Sequence, residues 1–212
     1  MRLFVGAVIG CALATQASAS FVTFSGAVAT TRPAFEAAAG GTVPRETFES
    51  LPVNSPVGQM PSVSAYFAPE YADGSVAPLP VVVSGSPVTP SNWIANFGNG
   101  RPQWSPWVIR PDAGESIYAF GQVNAQGDWV RIEAFDASNT LVGSVDAQPI
   151  SPFFAGFVST TPIAKVVVTP LGNFDGANGM DDISVSITPV PAPSALAILG
   201  VAGLLGAKRR RC

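Results

Sequence analysis

Hydrophobic and polar residues alternate along much of the second half of the chain. Between Asp128 and Phe135, Val130, Ile132 and Ala134 fall on one side, and Trp129, Arg131, Glu133 and Phe135 on the other. A period of two is the signature of a half-buried strand. Asp136-Ala137-Ser138-Asn139 supplies a turn and Thr140–Val145 the return strand of a hairpin. Further strands are predicted at Ser116–Val123, Phe153–Ser159, Ile163–Thr169 and Asp182–Ile187. In the first half, Phe21–Ala29 predicts a strand. Thr30–Val43, rich in Ala and Gly, predicts a loop or a short helix. From Glu46 onward strands and turns follow, and prolines recurring from Pro52 to Pro111 exclude long helices. Short strands at regular spacing point to an antiparallel β-sandwich or barrel, an all-β fold.

Both ends break this pattern with unbroken apolar runs. Arg2, then the apolar Leu3–Ala14, then Ala17-Ser18-Ala19 form a secretory signal peptide with cleavage expected after Ala19. A competing reading takes Val8-Ile9-Gly10-Cys11 as a lipidation box, which shortens the apolar run to Leu3–Ile9. At the other end, Val190–Ala207 makes a helix of roughly 27 Å at 1.5 Å per residue. This just spans a hydrocarbon core of about 30 Å. Lys208, Arg209, Arg210 and Arg211 follow as a basic membrane stop, expected to stay cytoplasmic. The boundaries expected are a signal peptide over 1–19, an N-terminal strand and linker over 20–45, a sandwich domain over 46–188 and a membrane-spanning tail over 189–212.

Charge changes the picture once these ends are set aside. The stretch Ser20–Pro189 holds six basic residues against fourteen acids, a net charge of −8, whereas the whole chain carries −3. An acidic exported domain lacks the electrostatic footprint of a nucleic-acid binder, so no nucleic-acid partner is expected. The two cysteines, Cys11 and Cys212, both lie in the terminal segments, so the domain between them has no disulfide. There is no histidine. This excludes Ser-His-Asp and Cys-His catalysis and histidine-bound zinc.

The tail resembles a PEP-CTERM sorting signal. Its parts are the motif Val190-Pro191-Ala192-Pro193, the apolar helix and the terminal arginine cluster, with Ala192 where that family usually carries Glu. The resemblance implies that an exosortase recognises and processes the tail. The protein is then transiently membrane-anchored and afterwards moves to the cell surface or extracellular matrix, often in bacteria that make exopolysaccharide. A series of short strings also resembles the galactose-binding-like jelly roll of exported PEP-CTERM proteins. They are Thr47-Phe48-Glu49, Ala134-Phe135-Asp136-Ala137 before Leu141-Val142-Gly143, Pro162-Ile163-Ala164-Lys165-Val166 and Gly179-Met180-Asp181-Asp182-Ile183.

Three kinds of chemistry are open to these residues. Similar jelly rolls often carry a structural calcium where the first and last strands meet. The resemblance therefore implies Glu49 and Asp182 as ligands, with Asp181 and Asp175 as further donors of the oxygen that Ca²⁺ prefers. The alternative is a solvated acidic turn over Asn173–Gly179, and the spacing is not that of an EF-hand. Trp93, Trp104, Trp107, Trp129 and Tyr118 offer rings for stacking on sugar or for the core. Trp104 and Trp107, among prolines, are the better candidates for exposure. Glu115, Glu133 and Asp136 offer carboxylates for glycoside hydrolysis, with no spacing that singles out an acid and a nucleophile. The sequence favours a non-enzymatic surface or matrix protein, structural or adhesive, with polysaccharide as a candidate partner. The alternatives are a carbohydrate-active enzyme and a permanently membrane-anchored surface protein.

Overall fold

A computed structural model describes residues 20–70, 75–77, 79–84, 92–96, 106–124, 129–149, 152–171 and 178–190. The expected signal peptide, Trp104, Asp175 and everything after Val190 lie outside the described residues. Among those described, no helix is long and apolar enough to cross a membrane.

The chain forms β1 (Phe21–Ala27), α1 (Val28–Ala38), β2 (Arg45–Glu46), β3 (Gln59–Met60), β4 (Ala65–Ala68), β5 (Val81–Ser84) and β6 (Asn92–Asn96). It continues with β7 (Trp107–Pro111), β8 (Ile117–Asn124), β9 (Val130–Phe135), β10 (Leu141–Ala147), β11 (Phe153–Ile163), β12 (Lys165–Pro170) and β13 (Asn178–Ser186). The strands pair antiparallel into two sheets. The larger runs β1-β11-β8-β13-β6-β5 with β2 also on β13, and the smaller runs β10-β9-β12-β7-β4-β3. The all-β, sandwich-like expectation is met.

Alternation drives the assembly. In β9, Val130, Ile132 and Ala134 are buried while Arg131, Glu133 and Phe135 stay half-buried. Phe120, Phe157, Met180, Ile183 and Val185 of the larger sheet share one apolar core with Ile109, Ile132, Val166 and Val168 of the smaller. Phe157 stacks between Phe21 at 4.8 Å and Phe120 at 6.1 Å.

A second, smaller core lies on the outer side of the larger sheet. There Ala119, Val123, Phe154 and Val158 are covered by Phe35 of α1 and by Val43. The helix forms despite Pro33 within it, because Phe35 is fully buried against Phe154 at 5.2 Å and Phe24 at 5.8 Å. Gly40 and Gly41 end it at φ 92° and 147°, and Gly41 N–H returns to Glu36 O at 2.9 Å. Gly121 and Gly156 face each other across β8 and β11. A Cβ on Gly156 would lie 2.5 Å from the Phe120 carbonyl oxygen, and one on Gly121 would enter the Phe154 ring. Gly121 thus makes room for the Phe154 ring on the sheet beneath α1, and Gly156 lets β11 approach the β8 backbone closely.

The predicted elements shift at their edges for local reasons. The first strand stops at Ala27, and the helix takes Val28 and Ala29. The last strand begins at Asn178, four residues before Asp182. A bulge between Asp181 and Ser184, with Asp182 at φ 50°, breaks the alternation, so a period-two reading begins only past it.

Candidate functional site

The first strand of the 46–188 region does lie beside the last: Glu46 faces Ile183 and Arg45 faces Ser184. This seam gathers buried acids. Glu46 is 1% exposed, and each of its oxygens accepts one backbone N–H, Oε1 from Phe48 at 2.9 Å and Oε2 from Ser62 at 3.0 Å. A buried carboxylate persists only when so satisfied. Phe48 takes φ 61°, and the turn it makes brings Glu49 Oε1 to the Asn92 N–H at 2.9 Å. Asn92 Nδ2 in turn donates to the carbonyls of Phe48 and Leu51 at 3.4 Å each. Thr47-Phe48-Glu49 is therefore a corner that ties β2 to β6.

On β13, Asp181 is fully buried, and its Oδ1 accepts the Asp182 N–H at 2.7 Å. Asp182 Oδ2 accepts from Arg32 of α1 at 2.7 Å and from Arg45 at 3.4 Å. Arg32 also lies over the Phe154 ring at 5.7 Å. Two guanidinium groups thus supply positive charge at the carboxylate that the calcium reading assigned to a cation. Glu49 engages β6 instead. Among the described residues, no three carboxylates or other metal-binding side chains are grouped to hold an ion.

The aromatic residues sort differently from their proline-based expectation. Trp107 is 3% exposed and packs edge-on against Phe67 at 6.1 Å, so its ring belongs to the core and not to a sugar platform. Trp129 is 41% exposed. Its phase with Arg131 and Glu133, on the outward side of β9, is the signal that would have found it.

Of the carboxylates considered for catalysis, Asp136 closes the β9–β10 turn. Its Oδ1 accepts from Ser138 Oγ at 2.6 Å and from the N–H groups of Ser138 and Thr140 at 2.9 Å each. The Ser138 hydroxyl above all, then the Thr140 N–H, hold its carboxyl below the usual aspartate range. That direction suits a turn anchor and opposes a proton donor.

Glu46 and Arg32 are the seam residues that sequence reasoning passed over. Glu46 directly precedes the Thr47-Phe48-Glu49 string, and Arg32 sits in the segment expected to be a loop or short helix. Compared with known proteins, the chain matches no family model, no curated protein and no solved structure.

Proposed function

We propose that this chain is an exported surface or extracellular-matrix protein. Its role is structural and adhesive, its folded part is a jelly-roll module that binds polysaccharide, and its tail is handled by an exosortase. The supporting observation is that residues beside both expected processing signals belong to the described fold. Ala19–Pro191 forms one compact unit. Ser20, the first residue after the expected cleavage, already pairs with the sheet: its N–H donates to Thr160 Oγ1 at 2.8 Å, and its carbonyl accepts from Thr160 N–H at 3.0 Å. Val190, the first residue of the sorting motif, still packs on the small core under α1. The described fold thus reaches from Ser20 to Val190, beside both expected processing signals. It is cysteine-free and acidic, as an export-ready module held by its core would be. Exposed Trp129 supports the polysaccharide part of the reading.

Intact-mass analysis of protein recovered from the cell surface tests the export route. The expected species begins at Ser20 and lacks Lys208–Cys212. A surface species that retains Arg211 overturns exosortase processing and favours a permanent anchor.

A further inference from the structure

The strand register sets Trp129 and Asp112 at opposite ends of the smaller sheet. Val130 pairs with Pro170 at one end of β12, while β7 runs past Ile109, opposite Val166, toward Pro111 at the other. Beside Asp112, a pocket of about 370 Å³ opens between the two sheets, with Val63, Val185 and Ile187 among its lining residues and Gln59, Ser62 and Asp112 supplying polar groups. Its volume lies near the lower end of the range for small-ligand sites.

The walls of this pocket are fixed from behind. Buried Glu46 holds the Ser62 N–H at 3.0 Å. Asp112 N–H donates to Ser64 O at 3.1 Å, and Glu115 N–H closes the turn on Asp112 O at 3.0 Å. Gln59 Nε2 donates to Asp112 Oδ1 at 3.1 Å and to Ala65 O at 3.3 Å. This orients the carboxylate and leaves Gln59 Oε1 as an acceptor. Glu70, Asp146 and Asp182 each face an arginine, whereas Asp112 has no such partner among the described residues. The contrast matters, because an oriented carboxylate with no countercharge is free to accept hydrogen bonds from a ligand.

The geometry points to a neutral hexose unit of a polysaccharide as the ligand. Hydroxyl groups on adjacent ring carbons would donate to Asp112 Oδ2 and Gln59 Oε1. The C–H face of the ring would lie on Pro44, Pro61 and Ile187, the apolar lining residues that reach the surface. One carboxylate falls short of the six to eight oxygens that calcium takes, and it repels an anionic sugar. This inference rests on the polysaccharide-binding reading and assigns it a site distinct from Trp129.

Affinity electrophoresis of the exported protein through gels containing a neutral glucan or a neutral galactan tests it. The native protein is expected to be retarded in at least one gel. Asp112→Ala is expected to weaken binding about tenfold, the scale of a lost charge-assisted hydrogen bond. Ser62→Tyr, which fills the pocket mouth and keeps the N–H held by Glu46, is expected to do the same without removing a carboxylate. If the native protein and both variants are equally retarded, while Trp129→Ala is not, the pocket assignment is overturned and polysaccharide binding stands. If the native protein runs freely in both gels, the pocket assignment and the polysaccharide reading fall together.

Discussion

On the outer side of the larger sheet, Arg32 and Asp182 meet beneath α1 with side-chain exposures of 13% and 12%. On the outer side of the smaller sheet, Arg131 and Asp146 meet at 43% and 41%. The exposed pair has the better geometry, two nearly parallel bonds of 2.8 and 3.0 Å. Its surroundings nonetheless make it the weaker contributor, because water and salt screen it. The buried pair holds a helix to a sheet: removing Asp182 strands Arg32 in a poorly solvated place, and removing Arg32 leaves Asp182 only its longer contact to Arg45 at 3.4 Å. Position, more than bond length, therefore decides what an ion pair contributes here.

The two faces also cover their apolar residues differently. Under α1, Phe35 seals Ala119, Val123, Phe154 and Val158. On the smaller sheet, Ala68, Val108 and Val167 form a short stripe flanked by Tyr66 and Phe135. Lys165 lies over the Phe135 ring at 4.6 Å, and Arg110 is tied to Glu70 at 2.6 Å. Long charged side chains shield that stripe with their aliphatic stems, where the other face uses a whole helix.

Phe35→Ala offers the largest test of this contrast. It should cost about 3–5 kcal/mol by emptying the space between α1 and the sheet. Hydrogen exchange should show α1 amides losing protection while β9 and β12 keep theirs. Equal loss in both sheets would mean that the helix is integral to the main core. Next in size, Arg32→Met should cost about 2 kcal/mol in urea unfolding, because it removes the short charge-assisted bond and leaves Asp182 only the longer contact to Arg45 at 3.4 Å. Arg131→Met should leave the urea midpoint nearly unchanged, and a similar loss in both variants would erase the distinction between the faces.

The smallest effect is the response to acid. The Arg131 side chain holds the Asp146 carboxyl below its ordinary value of 3.8, as the Ser138 hydroxyl does for Asp136. A carboxyl whose folded pKa is depressed contributes stability above its unfolded pKa and loses it as pH falls through the folded one. Melting temperature should therefore fall as pH drops below about 4, and Asp136→Asn and Asp146→Asn should each flatten that decline. An unchanged acid slope in both variants would place the acid sensitivity elsewhere.

The alternation of Val130, Ile132 and Ala134 was enough to define one strand and its buried side, because side-chain direction in a strand is a local, period-two property. The hairpin turn at Asp136 was legible for a similar reason, since turn chemistry is local. That the stretch between Cys11 and Cys212 can form no disulfide, and that histidine chemistry is excluded, followed from residue content alone. Assembly of the sheets settled the rest: Arg32 meets Asp182 from 150 positions away, Glu46 faces Ile183, and Trp107 is buried while Trp129 is exposed. Those outcomes depend on which strands become neighbours and on where a bulge turns Asp182 toward the helix. Such pairings are set by the packing of the whole sandwich, and residue spacing along the chain does not encode them.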